Sequence, residues 1–473
     1  APPTPTGPHP PPPGPPPPTP PHTTPPRPPP LPAASPHPPA PSADDDDDSG
    51  EAETTATTAP ADAGDTEDMA DTEDMADTED TAAAPAGDPE PTNGFDGETI
   101  TLGYLTDESG PLAILGAPLA EGSQVYWDYV NEELGGIAGT YRVELAVGDT
   151  KDDQGVAVTE YQRLKEDAVL FAQILSTPPT QAVLEFLTED NIVGVPGSLA
   201  GAWAGEANLL PNGAAYENEM INIADWYVND SGLGSADSVQ CAVSVDDLYG
   251  EAGLAGLEYA AGELGFELAE SQTFARGDSD FSSTIAALSG AGCEAVYAIT
   301  VPTEQNAMMA EASSTGFDPV WLGALPSYLN LFSAGNPERY ENFYISLDTP
   351  DFNDTTSPGM VAFNERFATY GDGEPSSFHL SGYFQQISVQ ALLEKAVELG
   401  DLSREGIATA MTQLGEVDTE GLTAENYVYG APEDRVPTSA TRIFQFDAEN
   451  PPNLLSEVAL IDSELNDGFE LAG

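Results

Sequence analysis

Short apolar runs and amphipathic stretches alternate along the chain from Thr99 onwards. Apolar runs of four to eight residues predict buried parallel strands, and apolar positions three and four apart predict helices that pack on them. The first set of predicted strands and helices comprises strands at 99–104, 141–147, 169–174 and 192–195, with helices at about 116–134 and 154–167 and from Pro178. This alternation favours a parallel sheet with helices on both faces.

The alternation then starts a second time. A helix at 215–229 leads into strands at 239–245, 266–273, 295–300 and 320–323. Helices are predicted between them at 250–264, after Asp280 as N-cap, and at 304–315. The sequence thus predicts an α/β fold of two doubly wound parallel-sheet lobes, with a cleft between them as the default site for a small ligand.

The last part of the chain does not form a third set. It contains a strand at 343–347, helices at 357–370, 379–399 and from Ser403, and strands at 442–446 and 457–461. We expect these pieces to return across a multi-strand hinge and complete both lobes. Lobe 1 is predicted at about 99–213 plus 348–440, and lobe 2 at about 214–347 plus the C-terminal strands.

The N-terminal part has a composition of its own. Residues 1–43 contain 24 prolines, and 44–94 form an acidic segment in which D-T-E-D-M-A is repeated at 65–70 and 71–76. Neither segment has the apolar residues that a packed core requires. We predict a disordered spacer over 1–94, order from Thr99, and a solute-binding domain over 95–473.

The charge restricts the partners. The formal net charge is -69, from 81 acidic and 12 basic residues, and residues 95–473 alone carry about -51. Nucleic acid and anionic membranes need clusters of Lys and Arg, so neither is an expected partner. A halophilic or marine source and an ordinary acidic secreted protein both remain open. We expect a monomer whose folded part gains stability with salt, because salt screens repulsion between like charges.

Few residues of the chain suit metal or nucleophilic chemistry. Three of the four histidines lie in the proline-rich segment, which leaves His379 for the folded part, where we expect a structural role at a helix start. This argues against a multi-histidine metal site and against histidine-based catalysis. We therefore expect no enzyme activity, metal or cofactor. No apolar run approaches the roughly 18 residues of a transmembrane helix.

Two predicted neighbouring strands end in small hydroxyl residues. The strand at 169–174 stops at Ser176-Thr177, just before a helix that Pro178 opens, and the strand at 192–195 stops at Pro196-Gly197-Ser198. Free backbone N–H groups and hydroxyls at the carboxyl ends of parallel strands suit a bound carboxylate. Ordinary turn chemistry is the alternative interpretation of both loops.

Several short motifs follow one another between about residues 99 and 462. They are G-Y-L-T-D-E-S-G-P-L-A-I-L-G (103–116), N-E-E-L-G-G-I-A-G (131–139), S-T-P-P-T-Q-A-V (176–183), V-P-G-S (195–198), D-L-Y-G-E-A-G-L (247–254), D-S-D-F-S-S-T-I-A-A-L (278–288) and the helix that begins with S-G-Y (381–383). In order and spacing they resemble the solute-binding proteins of ABC importers of the branched-chain amino acid (Leu/Ile/Val-binding) type, which have the type I periplasmic binding fold.

The resemblance implies a set of ligand-binding positions. It places Thr177, with Ser176 beside it, where the family holds the ligand carboxylate. Gly197 and Leu199 fall where the family uses backbone groups and a threonine hydroxyl, for which Ser198 could substitute. Tyr249 matches a tyrosine that reaches the ligand from the second lobe.

This chain departs from the family pattern where the ligand ammonium is bound. Val301 stands near a second family tyrosine, and Leu325 stands near the acid that pairs with the ammonium. A buried ammonium without a carboxylate is costly, so an amide, a carboxylate without an amine or an aromatic acid are alternatives to an amino acid. Glu217 lies near another acidic family position and could restore ammonium binding. Trp203 and Tyr328 would suit an aromatic acid, or simply pack in loops.

The resemblance also implies a function and a location. We expect an extracytoplasmic receptor, tethered or secreted, that delivers a small solute to the membrane permease of an ABC importer. A ligand-sensing protein and a structural or assembling cell-surface protein with the same fold are the alternatives. In the usual strand order of the fold, Cys241 and Cys293 lie on or next to neighbouring strands, so either a disulfide or two buried thiols is expected.

Overall fold

The structure, a computed structural model, describes residues 87–471. The predicted spacer up to residue 86, and residues 472–473, lie outside the described residues. The strands are β1 Thr99–Thr106, β2 Arg142–Asp149, β3 Phe171–Leu175, β4 Gly194–Gly197, β5 Gln240–Val245, β6 Leu268–Phe274, β7 Ala295–Ile299, β8 Val320–Gly323, β9 Phe343–Leu347, β10 Gly415–Val417, β11 Tyr427–Tyr429, β12 Thr441–Phe446 and β13 Leu455–Ile461.

The α-helices alternate with these strands. They are α1 Ala113–Glu133, α2 Gln154–Leu164, α3 Thr177–Asp190, α4 Tyr216–Asp225, α5 Leu248–Leu264, α6 Ser282–Ala291, α7 Pro302–Thr315, α8 Asn330–Gly335, α9 Pro358–Tyr370, α10 Ser377–Leu399 and α11 Arg404–Thr412. A π-helical turn, Trp226–Asp230, continues α4. No helix among residues 87–471 combines the length and apolar character that a membrane crossing needs.

Two sheets confirm the predicted fold of two doubly wound lobes. Lobe 1 contains a parallel sheet in the order β2-β1-β3-β4, and lobe 2 a seven-stranded sheet in the order β13-β12-β9-β8-β7-β5-β6. Strands β5 to β9 are parallel, whereas β12 runs antiparallel to β9 and to β13. The chain therefore returns to lobe 2 at its end and extends that sheet at one edge.

Helix α10 completes lobe 1 by packing on α1, with the buried Trp127 indole N–H of α1 donating to Gln386 Oε1 of α10 at 3.0 Å. The hinge is held by Asp348, which directly follows β9. Its Oδ2 accepts from the backbone N–H of Ala214 at 3.0 Å, and its backbone carbonyl accepts from Arg442 at 2.6 Å. Asp348 thus ties together three passages of the chain between the lobes.

Of the two alternatives expected for Cys241 and Cys293, a disulfide or two buried thiols, the structure contains the disulfide. Cys241 of β5 is bonded to Cys293, which precedes β7, with 5.8 Å between the Cα atoms. Strands β5 and β7 are direct neighbours, and this adjacency brings the two cysteines together across 52 residues of sequence. The bond fixes the loop after α6 to β5, the strand next to the β6 edge of the lobe 2 sheet.

Three local expectations differ from the structure. The chain is already hydrogen bonded at Thr92–Phe95, before the expected start at Thr99, because Gly94 accepts from Thr101 at 2.7 Å and Phe95 is buried. Asp280 is not the N-cap of α6: Phe281 is, and the Asp280 carboxylate instead accepts from Ser282 in a local turn. The sequence also did not predict α8 or the β10–β11 pair, which are short and lack a clear period.

Candidate ligand cleft

A cavity lies between the two lobes, with about 660 Å³ of empty space including the solvent at its mouth. Lobe 1 lines it with α1, with the ends of β3 and β4 and with one face of α10, and lobe 2 with the starts of α4, α5 and α7 and the turn after β8. The lining residues are Leu112, Leu115, Leu119, Gln173, Leu175, Ser176, Thr177, Gly197, Ser198, Leu199, Tyr216, Tyr249, Arg276, Val301, Leu325, Pro326, Phe378, Ser381, Phe384 and Gln385.

The two hydroxyl loops meet at this cavity, as the sequence predicts for neighbouring parallel strands. Strands β3 and β4 pair, and the Ser176 N–H donates to the carbonyl of Gly197 at 3.0 Å. The Thr177 and Ser198 hydroxyl oxygens are 2.6 Å apart, and the Trp203 indole N–H donates to Ser198 Oγ at 3.0 Å. Trp203 therefore orients Ser198, which in turn orients the Thr177 hydroxyl at the first residue of α3.

The backbone at this loop is strained. Ser176, the N-cap of α3, has φ 80° and ψ 148°, a conformation that residues other than glycine rarely adopt. Such conformations cost roughly 1–3 kcal/mol and cluster at ligand sites. Here it places the Thr177 N–H, at the first residue of α3, against the cavity. The next two residues, Pro178 and Pro179, have no N–H, and the Thr180 N–H donates to the carbonyl of Ser176.

Lobe 2 contributes two tyrosines whose rings are in edge-to-face contact. The rings of Tyr216 and Tyr249 are 4.5 Å apart, and burial raises the pKa of both phenols. The Tyr249 hydroxyl donates to the backbone carbonyl of Thr300 at 3.0 Å. Because the hydroxyl proton is used in this bond, Tyr249 offers the cavity its ring and a hydroxyl oxygen that can only accept.

One charged residue lines the cavity, and it joins the lobes. Arg276, after β6, is bonded to Asp247 of its own lobe, and its Nε lies 3.4 Å from Asp152 Oδ2 of lobe 1. The Asp152 side chain is fully buried. That burial raises its pKa while Arg276 opposes the shift. Two carboxylates therefore share this guanidinium, which leaves little positive charge for a ligand.

Two buried glutamates of α4, Glu217 and Glu219, do not line the cavity. The carboxylate of Glu217 accepts from the backbone N–H of Gly201 at 3.0 and 3.2 Å. Glu219 is fully buried, accepts from the Leu325 N–H at 2.9 Å, and has its pKa raised well above the usual value by burial. No described residue that lines the cavity is an Asp or a Glu.

Eight of the nine ligand-binding residues proposed from the sequence line the cavity, and the ninth, Glu217, does not. They are Ser176, Thr177, Gly197, Ser198, Leu199, Tyr249, Val301 and Leu325. Trp203 and Tyr328 do not line it. Trp203 supports Ser198, and the Tyr328 hydroxyl donates to the backbone carbonyl of Asn453.

Sequence reasoning missed two walls of the cavity. The predicted start of α1 near residue 116 put Pro118 in the first turn, where proline is tolerated. The helix instead begins at Ala113, which places Leu112, Leu115 and Leu119 along the cavity. On α10, Phe378, Ser381 and Gln385 lie three and four residues apart. That spacing signals a shared face but does not tell which cavity the face lines.

Comparison with known proteins agrees with this architecture. The sequence pattern described as "Periplasmic binding protein" matches residues 99–451. The chain belongs to the periplasmic binding protein family. It is 25% identical over 345 residues to the Leu/Ile/Val-binding protein homolog 7 of Brucella abortus, covering 69% of this chain and 84% of that protein.

Solved structures show the same fold. A fatty acid ABC transporter substrate-binding protein from Thermomonospora curvata superposes with a TM-score of 0.74 at 26% identity, over 81% of this chain and 97% of its own. A branched-chain amino acid ABC transporter from Thermus thermophilus with bound valine gives a TM-score of 0.67 at 17% identity, over 78% and 97%. This periplasmic binding protein is thus a solute-binding protein of the ABC-transporter type.

Proposed function

We propose that this periplasmic binding protein is an extracytoplasmic receptor that binds a carboxylate with an apolar body and delivers it to the permease of an ABC importer. The observation that carries the proposal is the composition of the cleft. Hydroxyl and backbone N–H donors converge at the ends of β3 and β4, while leucine, valine and phenylalanine side chains form most of the remaining lining.

The donors suit a carboxylate at one end of the cavity. The Thr177 hydroxyl is fixed in place by Ser198 and Trp203, and the Thr177 N–H lies beside it at the first residue of α3. Hydrogen bonds to a charged acceptor stabilise binding by roughly 1.5–3 kcal/mol each, because the donors need no reorganisation. The carboxylate would lie against lobe 1, and Tyr249 would close over it from lobe 2.

The lining disfavours an ammonium group beside that carboxylate. Leu325 stands where an acid would be required, and Glu217 and Glu219, which do not line the cavity, accept from the backbone N–H groups of Gly201 and Leu325. Transfer of an ammonium from water into such a site without a counter-charge is costly. The similarity to a fatty acid-binding protein supports an apolar carboxylate over an α-amino acid.

Location and partner rest on the family. The Cys241–Cys293 disulfide supports an oxidising compartment outside the cytoplasm. The acidic and proline-rich segment before the folded part suits a spacer between an anchor or cell wall and the receptor. The permease would recognise the closed form, in which both lobes contact the ligand.

Calorimetry with a matched pair of ligands tests the proposal. Leucine and 4-methylpentanoate share the carboxylate and the branched apolar chain, and differ only in the amino group. We expect 4-methylpentanoate to bind at least tenfold more tightly than leucine. A clear preference for leucine would show that an ammonium site exists and would overturn the proposed ligand class.

A variant gives the converse test. Leu325→Glu places a carboxylate in the lining and should shift the preference towards leucine, whereas Leu325→Met keeps the apolar character and should not. If Leu325→Glu leaves the ratio of the two affinities unchanged, Leu325 does not face the position next to the ligand carboxylate.

A further inference from the structure

Two buried glutamine side chains line the cleft with unpaired polar atoms. Gln173 of β3 is fully buried, and neither its amide nitrogen nor its amide oxygen has a hydrogen-bond partner among residues 87–471. Gln385 of α10 is 5% exposed, and its Oε1 has none. Burial of a polar group without a partner is unfavourable, and few such groups occur in folded proteins. Both glutamines therefore suit the recognition of a ligand group.

The adjacent Gln386 shows what an ordinary buried glutamine does here. It is also fully buried, but its Oε1 accepts from the Trp127 indole at 3.0 Å and its Nε2 donates to the carbonyl of Ala172 at 3.4 Å. Gln386 does not line the cleft. The contrast indicates that Gln173 and Gln385 lack partners because they face the ligand cavity.

Gly197 locates the Gln173 amide beside the carboxylate loop. A Cβ atom at Gly197 would lie 2.4 Å from Gln173 Nε2, so only glycine leaves the amide in its place. Gly197 immediately precedes Ser198, whose hydroxyl meets that of Thr177. A ligand group that reaches the Gln173 amide therefore lies beside the loop that is proposed to bind the ligand carboxylate.

The hydrogen bonds that the two glutamines can still form decide the chemistry of the ligand group that they recognise. The Gln173 amide has two N–H donors and one acceptor oxygen, and Gln385 adds a second unpaired acceptor. A carboxylate only accepts and a hydrocarbon does neither. An ammonium only donates, and the lining contains no carboxylate to pair with it. A hydroxyl both accepts from Nε2 and donates to Oε1.

We propose that Gln173 recognises a hydroxyl group on C2 of the bound carboxylate, so that the cleft is selective for apolar 2-hydroxy acids. The inference rests on the proposed function and narrows its ligand class. Gln385 supplies a further acceptor to the same donor-bearing ligand. An unpaired amide penalises every ligand that lacks the hydroxyl, which is how a polar group in an apolar pocket generates selectivity.

Four ligands that differ only in the substituent or the configuration at C2 test the inference. Calorimetry compares 4-methylpentanoate, each enantiomer of 2-hydroxy-4-methylpentanoate, and leucine. We expect one enantiomer of the hydroxy acid to bind about tenfold or more tightly than 4-methylpentanoate, because it satisfies the buried amide. In Gln173→Leu this preference should fall to less than about twofold, with 4-methylpentanoate still bound.

Stability of the ligand-free protein gives a second readout. Gln173→Leu removes an unpaired polar group, so its melting temperature should equal or exceed that of the wild type. Gln386→Leu, the matched control, breaks two hydrogen bonds and should melt lower while keeping the hydroxyl preference. If Gln173→Leu does not fold, Gln173→Met, with an unbranched side chain of similar length, replaces it in both measurements.

The outcomes separate the inference from the proposed function. If wild type binds 4-methylpentanoate and both hydroxy enantiomers equally, or if Gln173→Leu keeps the preference, the inference is wrong and the apolar carboxylate receptor stands. A Gln173→Leu protein that folds but melts well below the wild type would show that Gln173 has a structural role, and would also overturn the inference. If none of the ligands binds, the proposed function and the inference both fail.

Discussion

At the scale of single residues, a chain of hydrogen bonds from the Trp203 indole through Ser198 to Thr177 orients the hydroxyl at the carboxylate end of the cleft. Thr177→Val keeps the shape of the side chain but removes the hydroxyl, so we expect the affinity for 4-methylpentanoate to fall about ten- to a hundredfold. Thr177→Ser should retain most of it. Calorimetry measures both.

Thr180, one turn further along α3, gives the control. Its hydroxyl donates to the carbonyls of Ile174 and Ser176 and does not line the cleft. Thr180→Val should lower the melting temperature with little change in affinity. Equal affinity losses for Thr177→Val and Thr180→Val would mean that the Thr177 hydroxyl acts only on the fold.

Asp348 makes the hinge sensitive to pH. Burial raises its pKa from the usual 3.8 to about 7, although the Ala214 N–H and Arg442 oppose the shift. Since the folded state holds the proton more tightly than the unfolded state, the free energy of unfolding should decrease as pH rises from about 4 to 7. The decrease from this one group amounts to at most about 4 kcal/mol.

Asp348→Asn should flatten this dependence and raise the melting temperature at pH 8, because an amide oxygen still accepts from Ala214. Glu219, whose pKa burial also raises, keeps part of the slope in the variant. Asp318→Asn, at an exposed position, is the control. Parallel pH curves for wild type and Asp348→Asn would refute the role of Asp348.

At the scale of elements, the turn before α2 reaches across to lobe 2 through Asp152 and Arg276. The ion pair exists only where the lobes are close, so it stabilises the closed form. Asp152→Asn should therefore weaken ligand binding about tenfold and increase the radius of gyration of the ligand-bound protein in solution scattering.

Another ion pair of lobe 1 provides a control that separates the effect of lobe closure from the effect of net charge. Glu160 pairs with Arg163 on the same helix, so Glu160→Gln changes the net charge equally without touching the gap between the lobes. It should leave affinity and radius of gyration unchanged. If both variants behave alike, the Asp152–Arg276 pair does not contribute to closure.

At the scale of the whole molecule, repulsion among carboxylates opposes the compact state. Residues 95–473 carry 62 acidic and 11 basic residues. At 1 M salt the Debye length shortens to about 3 Å, so we expect the melting temperature to rise clearly between 0.05 and 2 M sodium chloride.

Three exposed glutamates of lobe 2 test the origin of this effect. Replacing Glu258, Glu263 and Glu267 by Gln removes three negative charges on or next to α5, where no described side chain bonds to them. The variant should melt higher at low salt and respond less to added chloride. A salt response of undiminished size would point to a source other than surface repulsion.

Local periodicity determined the architecture of this protein from the sequence. Buried strands show continuous apolar runs and amphipathic helices show spacings of three and four, so β8 and β9 were predicted at their observed bounds and most other elements within a few residues. The meeting of Thr177 and Ser198 was also predictable, because neighbouring parallel strands end at the same edge of a sheet.

Only the tertiary structure decided which side chains share the cleft and which are already paired. Glu217 and Glu219 are two residues apart in sequence, and nothing local shows that Gly201 and Leu325 take up their carboxylates. Nor does the sequence distinguish Gln385, which faces the cavity unpaired, from its neighbour Gln386, which is bonded to Trp127. These hydrogen-bond partners lie 16, 106 and 259 residues apart, and they meet through tertiary packing that leaves no periodic trace along the chain.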